Sequence, residues 1–327
     1  MKLLIEDALN LVVEVMKKYG HNEDYAKIIG EHVIDCELRG LTYGGLARIV
    51  SITERLERTG APNKLVETIH ETPVSARLDG HDNLGYVVAL KATEIAIEKA
   101  SKSGISLVGA NETWYTGMLS YFAEIAAARG MITIIASNAT PWVAPHGAVD
   151  GRFGTNPICF GFPCEAVPLI WVIGSSSIMH AEVMLARRLG QKIGDGLAFD
   201  AAGNPTRDPE AALGGAFTPW GGHKGAGLGM IVQMLGILAG SPVEAPDLAG
   251  FGFLIIVMKP DLLMPEPEYR RKVSAYAKYV RSARPVTGGE PIRMPFERSA
   301  RVRRQRLEEN KIDVGDLVYE RLNNIIN

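Results

Sequence analysis

The stretch "ISLVGANETWYTGMLSYFAEIAAARGMITIIASN", residues 105–138, decides the fold class of this chain. The β-like run ISLVGAN at 105–111 precedes a helical pattern over 116–129, and a second β-like run, MITIIASN, follows at 131–138. A strand, a helix and a strand in this order are typical of a sheet that is covered by helices. We therefore predict an α/β fold for the central part of the chain.

The same alternation of β-like runs and helical patterns continues on both sides of this stretch. It predicts strands at 72–78, 156–163, 169–175 and 251–260, and helices at 84–102, 178–189 and 224–239. The last strand, FGFLIIVMKP, is strongly apolar and is predicted to be buried. The centre of the chain is therefore predicted to form one sheet with helices packed on it.

Both ends of the chain are predicted to be helical. Apolar residues recur at three- and four-residue spacing over 5–19, 22–39 and 46–60, and the charged region beyond Met264 ends in a helix near 314–325. We interpret the charged C-terminal helices as returning to the N-terminal helical unit. The predicted domains are a helical domain of residues 1–70 that is joined by 262–327, and an α/β domain of residues 71–261.

The composition excludes several classes of protein. Among 327 residues, 35 Lys and Arg against 37 Asp and Glu leave a net charge of -2, so no basic field can hold a nucleic acid or an anionic membrane. No apolar run reaches the ~18 residues that a membrane span needs. Cys36, Cys159 and Cys164 are too few and too irregularly spaced for a disulfide framework or a zinc site. We expect a cytoplasmic protein whose partners are small molecules and copies of itself.

The segment WGGHKGAGLG, residues 220–229, is the strongest candidate for binding an anion. Gly222 and its neighbours at the mouth of a helix let backbone N–H groups approach a phosphate, with His223 beside it and Lys224 adding a full charge. The segment matches neither common phosphate-binding motif. The alternative is a tight turn followed by close helix packing through the later glycines, and the residues alone leave both interpretations open.

Two polar loops follow predicted strands and should gather at the strand ends, where α/β sheets bind ligands. Asn138, Thr140, Thr155 and Asn156 have side chains that can bond an amide or a ribose, and Pro157 completes the second loop. The alternative is that the Asn-Pro and Pro-His-Gly sequences only mark turns.

The sequence IGSSS at 173–177 leaves a predicted strand and enters a helix. Gly174, Ser175 and Ser176 can hold a pyrophosphate there, or the hydroxyls can simply cap the helix. His180, three residues further on, is interpreted as a packed core histidine.

Candidate substrate groups occur in RGLTYGGLAR, residues 39–48, and in NETWYTG, residues 111–117. Arg48 can clamp a carboxylate in a planar bidentate pair, and Tyr43 offers a phenol. Trp114 and Tyr115 follow a predicted strand and can form the walls of an aromatic pocket. The alternatives are a solvated charge for the arginine and core packing for the aromatic residues.

Several separated motifs together resemble one known family. They are RG-x4-G-x2-R at 39–48, SNATPWVAPHG at 137–147 followed by GTNP at 154–157, DAAGNPTRDP at 200–209, and GGHKGAGL at 221–228. In this order they are similar to the malate/L-lactate dehydrogenase family of the non-Rossmann kind, which includes ureidoglycolate and sulfolactate dehydrogenases, diketogulonate reductase and piperideine-2-carboxylate reductase.

The resemblance implies a distinctive non-Rossmann nucleotide-binding sheet domain, a helical domain built from both chain ends, and a homodimer. It also implies that NAD or NADP serves to reduce a 2-oxo acid or a cyclic imine. By position, Arg48 matches the arginine that binds the substrate carboxylate, and Lys224 matches a lysine that contacts the cofactor. Asn138 and Thr140 match a loop near the nicotinamide, and residues 172–176 match a segment along the cofactor.

Three positions depart from the family pattern. The family's proton-donating histidine in RG-x2-SHG-x2-R is matched by Gly44, a second histidine is matched by Trp114, and an aspartate near the cofactor is matched by Val172. The chain is either a sub-group with its own substrate and acid or a member with impaired catalysis that binds a metabolite.

We favour the sub-group. The aromatic replacements suit a flat or cyclic substrate, such as a cyclic imino acid. An iminium nitrogen is already protonated when hydride arrives, so the missing histidine would cost little. The candidates for a substitute acid are Tyr43, Tyr115 and His146, in that order.

Overall fold

The computed structural model describes residues 1–326. Its strands are β1 (Lys2–Leu4), β2 (Glu67–Glu71), β3 (Ser75–Leu84), β4 (Ile105–Trp114), β5 (Ile132–Ser137), β6 (Ile158–Phe162), β7 (Leu169–Ile173), β8 (Ala198–Phe199), β9 (Ala216–Phe217), β10 (Phe251–Met258) and β11 (Lys311–Asp313). Its helices are α1 (Ile5–Lys18), α2 (Glu23–Leu38), α3 (Leu46–Thr59), α4 (Gly85–Ser103), α5 (Leu119–Ala127), α6 (His180–Arg188), α7 (Pro209–Leu213), α8 (His223–Leu238), α9 (Glu266–Arg281), α10 (Glu297–Glu309) and α11 (Asp316–Ile326). Short 3₁₀ helices cover Thr42–Gly44 and Pro260–Leu262. Each strand and helix that the sequence predicts is present, with its ends shifted by a few residues.

Seven of the strands form one mixed sheet in the order β2-β3-β4-β10-β5-β6-β7. β3 and β4 are parallel, because α4 carries the chain back along the sheet between them. The other neighbouring strands pair antiparallel. β10 lies between β4 and β5 although it comes much later in the chain, and most of its residues are buried. The predicted α/β fold class is confirmed.

Helices cover both faces of this sheet at β10. The Phe253 ring packs edge-on against Phe122 of α5, with the ring centroids 5.8 Å apart. A Cβ atom on the preceding residue, Gly252, would meet the carbonyl oxygen of Gly236 in α8 at 2.5 Å. Because successive strand residues point to opposite faces, α5 and α8 cover opposite faces of the sheet. α4 packs against α5 and β10, so it shares the α5 face.

The two ends of the chain pack together. β1 pairs antiparallel with β11, and α11 packs on α1 and α3. Arg321 of α11 donates to Glu54 of α3 at 2.8 Å, and Arg303 of α10 forms an ion pair with Asp35 of α2. The C-terminal helices thus return to the N-terminal helices. The first boundary of the predicted domain division, residue 70, falls inside β2, and one hydrophobic core continues from α1 and α3 into the sheet.

Among residues 1–326, no helix combines the length and the apolar character that crossing a membrane requires.

Candidate active site

A cavity of about 300 Å³ lies between the Thr42–Gly44 turn, the start of α3 and the sheet. Its wall also includes the loops that follow β4 and β5, the end of β7 and the start of α6. The predicted site residues that line it are Tyr43, Arg48, Tyr115, Asn138, Thr155, Pro157 and Gly174. The predicted residues outside its lining are Trp114, Thr140, His146, Asn156, Ser175, Ser176, Gly222, His223 and Lys224. The fold therefore brings distant segments of the chain together around one cavity.

Arg48 is the charged side chain of this cavity. Its guanidinium lies over the ring of Tyr115, with the central carbon 4.3 Å from the ring centroid. Its Nη1 atom is buried and has no hydrogen-bond partner within residues 1–326. No aspartate or glutamate is among the residues that line the cavity, as far as the described chain shows. The wall thus carries a positive charge that the protein itself does not neutralise, and it is suited to an anion.

Tyr115 is held in a strained conformation at the end of β4. Its φ angle of 46° lies in the left-handed region, which costs a bulky residue about 1–2 kcal/mol. The start of α4 packs directly on this loop, because a Cβ atom on Gly85 would meet the Tyr115 carbonyl oxygen at 2.7 Å. Burial raises the pKa of the Tyr115 phenol, and burial also raises the pKa of Tyr43. Both phenols are therefore neutral hydrogen-bond donors at the cavity.

His180, interpreted from the sequence as a packed core residue, lines the cavity. Its ring stacks on Trp142 at 3.9 Å with an interplanar angle of 9°, and its Nδ1 atom is buried without a hydrogen-bond partner in the described residues 1–326. Burial, with a smaller contribution from Arg48, lowers the pKa of His180 to about 3. The imidazole is therefore neutral in the free protein. Its place just after the 172–176 segment, which the family resemblance puts along the cofactor, is the sequence signal that could have indicated a position at the cavity.

Two further residues that the sequence did not single out support the cavity. Tyr86 of α4 lines it, and the ring of His32 in α2 stacks on Tyr86 at 4.1 Å. The His32 Nε2 atom accepts a hydrogen bond of 3.0 Å from the Met118 backbone N–H. Burial lowers the pKa of His32 to about 3, so this nitrogen stays free to accept. His32 thereby fixes the loop that carries Tyr115.

Trp114 does not form a wall of the cavity, which corrects the prediction for this residue. It is fully buried, and its indole N–H donates to the Asp82 carbonyl oxygen at 2.9 Å. The guanidinium of Arg55 lies 4.0 Å from the centroid of its ring. Trp114 and Tyr115 therefore belong to different surroundings, the first to the core and the second to the cavity.

Three predicted ligand-binding side chains are occupied by bonds within the protein. Asn138 donates to the Ser241 hydroxyl at 2.9 Å and accepts from the Gly252 N–H. Asn156 accepts from the Ala139 N–H and donates to the Gly229 carbonyl oxygen at 2.8 Å.

The Thr140 hydroxyl donates to Pro246 and accepts from Leu248, both at 3.0 Å. These three residues join the loops after β5 to α8 and β10. The Thr155 hydroxyl makes no such bond with any residue of the described part of the chain, and Thr155 lines the cavity.

The predicted anion-binding turn has an open form. Gly221 and Gly222 have φ angles of 59° and 64°, and α8 begins without a side-chain cap. His223 and Lys224 are exposed in its first turn, and the ring of His146 lies 6.3 Å from that of His223. Imidazole and ammonium groups therefore gather at the mouth of α8, outside the lining of the cavity.

Later glycines of α8 serve close packing. A Cβ atom on Gly225 would meet the Ser175 carbonyl oxygen at 2.7 Å, and one on Gly229 would meet the Phe153 ring. Gly227, in contrast, faces open space. The Ser175 carbonyl also accepts from the Trp220 N–H at 2.8 Å, which ties the strand-to-helix segment to the turn. The packing interpretation thus applies to two of the glycines.

The serines of this segment are engaged within the protein. The Ser175 hydroxyl donates to the Thr155 carbonyl oxygen at 3.1 Å. The Ser176 hydroxyl donates to the Ile178 carbonyl oxygen at 2.7 Å. Both therefore stabilise the connection between β7 and α6.

Comparison with known proteins identifies the family. A family model described as malate/L-lactate dehydrogenase matches residues 4–323. The chain belongs to this family. L-sulfolactate dehydrogenase of Methanocaldococcus jannaschii is 32% identical, over 98% of this chain and 95% of that protein. A dehydrogenase structure from Sinorhizobium meliloti superposes with a TM-score of 0.92 at 27% identity, over 100% of this chain and 98% of the other.

The family resemblance predicted from the sequence motifs is therefore confirmed. A further relative is the Δ1-pyrroline-2-carboxylate/Δ1-piperideine-2-carboxylate reductase of Pseudomonas putida, 29% identical over 69% of this chain and 67% of that protein. Relatives of this chain are thus dehydrogenases and reductases of hydroxy acids, oxo acids and cyclic imino acids, which supports an enzymatic role.

Two of the three departures from the malate/L-lactate dehydrogenase pattern lie at the cavity. Gly44, which the sequence motif matches to the proton-donating histidine, lines the wall, and a Cβ atom there would lie 3.4 Å from the Cys36 sulfur. Val172, at the position of the aspartate, also lines the wall and is partly exposed. Trp114, at the third of these positions, is buried in the core.

Proposed function

We propose that the protein is a nicotinamide-dependent reductase of a small carboxylic acid, either a 2-oxo acid or a cyclic 2-imino acid. The observation that carries this proposal is the Arg48 guanidinium, which faces the cavity without a carboxylate partner within residues 1–326. A substrate carboxylate would complete a bidentate pair there. The cavity volume of about 300 Å³ suits a single small molecule.

The aromatic lining favours a flat or cyclic substrate. Tyr43, Tyr86, Tyr115, Trp142 and Phe251 contribute aromatic rings to the wall. A planar five- or six-membered imino acid would pack between such rings with its carboxylate on the arginine. A cyclic imine that is already protonated also places the smallest demand on an acid in the site, which agrees with Gly44 at the histidine position.

Different residues of the chain would have different roles in such a reaction. Arg48 binds and orients the carboxylate, and the neutral phenols of Tyr43 and Tyr115 donate hydrogen bonds to polar atoms of the substrate. The nicotinamide cofactor, when bound, supplies a hydride to the substrate carbon. His146 is exposed outside the cavity lining, so the phenols take precedence over it as substitute acids.

Two places in the structure support the proposal of a dinucleotide cofactor, NAD or NADP. The first turn of α8 has no side-chain cap and carries the exposed Lys224, so the positive end of the helix dipole and an ammonium group would together attract a phosphate. The Thr155 hydroxyl and Gly174 line the cavity on the sheet side, where a nicotinamide ring would meet the substrate. Val172 offers no polar group to the cofactor hydroxyls, so we expect weaker cofactor binding than a carboxylate at that position would give.

We also propose that the protein is a cytoplasmic homodimer. Met230, Ile231, Met234 and Leu238 form an exposed apolar face on α8, of the kind that subunit interfaces cover. Light scattering should give twice the 35.4 kDa mass of one chain. The three cysteines are free and buried, which agrees with a reducing compartment.

Absorbance assays test the proposed activity. NADH or NADPH should be oxidised in the presence of Δ1-piperideine-2-carboxylate, and the rate of oxidation should be lower with pyruvate. Brisk oxidation of malate in the reverse assay would contradict the preference for cyclic imines. Absence of turnover on every acid, together with calorimetric binding of the same acids, would establish the second candidate function, a family member that binds a metabolite without turnover. The replacement of polar groups by Gly44 and Val172 is the observation that favours this second candidate.

A further inference from the structure

We infer that His180 is the proton-carrying group of the substrate cavity, and that it takes up a proton when the substrate carboxylate binds to Arg48. The inference rests on the proposed carboxylate site at Arg48 and deepens it. It replaces the histidine that the 3₁₀ turn lacks with one that enters the same cavity from α6.

The position of His180 supports this role. The ring lines the cavity and stacks on Trp142, which lines it as well. Its centroid lies 6.5 Å from that of Tyr115, the residue whose ring carries the Arg48 guanidinium. Trp142, His180, Tyr115 and Arg48 thus form a continuous row of side chains. The Nδ1 atom of His180 is buried without a hydrogen-bond partner within residues 1–326, so this nitrogen is free to take up a proton.

The charges around His180 show why a ligand would change its protonation. The charged residues of its own helix are Arg187, Arg188 and Glu182. The 3₁₀ turn and the loop after β4 carry the neutral phenols Tyr43 and Tyr115. Arg48 lies on α3.

Arg187 forms an ion pair with Glu210, and Arg188 forms one with Glu54. Arg48 alone among these three guanidiniums has no carboxylate partner within the described chain. It is therefore the charge that a bound anion would neutralise.

Neutralising Arg48 removes a repulsion that keeps the imidazole uncharged. Burial is the main cause of the low pKa of His180, and Arg48 is the largest electrostatic cause. A carboxylate on Arg48 would also attract a proton to the neighbouring ring directly. Binding of the acid thus brings a proton from solvent to an imidazole nitrogen. When an oxo group becomes a hydroxyl, its oxygen takes this proton and the imidazolium returns to imidazole, while a dihydronicotinamide supplies the hydride.

Two measurements that need no cofactor test the inference. The first measures Trp142 fluorescence between pH 5 and 8, and the curve of the His180→Phe variant is subtracted. That variant keeps a ring stacked on Trp142 but has no nitrogen that titrates. Wild type should show no transition in this range, whereas Arg48→Met should raise the His180 midpoint by roughly 1–2 pH units or more and so bring its onset into the range. Identical curves for wild type and Arg48→Met would overturn the inference.

The second measurement is calorimetry with pyruvate near pH 5, in two buffers of different ionisation enthalpy. Wild type should take up a fraction of a proton for each anion bound, and His180→Phe should bind without uptake. The control is His70→Gln, at an exposed histidine on β2, which should behave as wild type. Equal proton uptake by wild type and His180→Phe would overturn the inference about His180 and would leave the proposed carboxylate site at Arg48 intact. Unchanged anion binding by Arg48→Met would instead contradict the proposed carboxylate site.

Discussion

Arg48 and Arg55 lie on the same helix, about two turns apart, and their guanidiniums stack on two consecutive aromatic residues. Arg55 lies over Trp114, forms two hydrogen bonds with Asp82 and donates to the Leu248 carbonyl oxygen. Arg48 lies over Tyr115 and has no carboxylate partner within residues 1–326.

The two arginines therefore have different roles despite similar contacts. A buried guanidinium that is fully paired stabilises the fold, because its charge and its donors are satisfied. A guanidinium left unpaired at a cavity wall costs stability and offers that charge to a ligand. The comparison shows how the same residue type on one helix can serve the core at one position and a site at another.

Replacing Arg48 should produce the largest effect. Arg48→Met removes the proposed carboxylate contact, so kcat/KM for the acid should fall about 10³-fold, which corresponds to about 4 kcal/mol. The free energy of unfolding should change by less than about 0.5 kcal/mol or rise, because no internal ion pair is lost. Steady-state kinetics and urea unfolding of the same variant measure both. A large loss of stability with normal kcat/KM would reverse the roles of the two arginines.

Arg55→Met is the matched test at the other position. It leaves Asp82 and the Leu248 carbonyl oxygen without their donor, and the free energy of unfolding should fall by about 3 kcal/mol. The folded fraction should retain kcat/KM within about threefold. Urea unfolding gives the first quantity, and kinetics normalised to folded protein give the second. A selective loss of substrate affinity would place Arg55 at the site as well.

Glu37, which binds the start of α3, should make the free energy of unfolding depend on pH. Its carboxylate accepts from the Leu46 N–H at 2.8 Å, and its second oxygen has no hydrogen-bond partner among residues 1–326. Burial raises the pKa of Glu37 from 4.5 to about 7. The native state therefore holds this proton more tightly than the unfolded state.

The contribution of this group to stability is complete below pH 4.5 and is lost as pH rises to about 7, by up to about 3 kcal/mol. Glu37→Gln should remove that pH dependence. Urea unfolding at pH 5, 6, 7 and 8 checks this, and parallel curves for variant and wild type would contradict it.

Substitution of the two aromatic partners, Tyr115 and Trp114, should produce the smallest effects. Tyr115→Phe keeps the ring under Arg48 and removes the hydroxyl, so kcat/KM should fall about fivefold, or about 1 kcal/mol, with stability unchanged. Trp114→Phe removes the bond to Asp82 and should lower stability by a similar amount or more, with kcat/KM unchanged. Effects of the same kind in both variants would show that the cavity and the core beside it act as one unit.

The sequence predicted most of the fold because its patterns are strong. The apolar run of β10 and the helical spacing of α1 and α3 follow from periodicities that burial imposes. β2 was not predicted, because all five of its residues are exposed and no alternation marks it. The position of β10 between β4 and β5 was also hidden, since strand order depends on which apolar faces meet after the chain has turned.

For the functional site, too, some features were predictable from the sequence and others depended on the tertiary structure. The sequence by itself determined the family, the fold class and the presence of Arg48 near the N-terminus, because motifs and periodicity are local properties of the chain. Only the tertiary structure decided which side chains share the cavity. It directed Trp114 into the core and Tyr115 to the wall, occupied the amides of Asn138 and Asn156 with hydrogen bonds inside the protein, and brought His180 to the cavity. The reason is physical: whether a polar group is free to act depends on neighbours that lie far away in sequence and meet it only after folding.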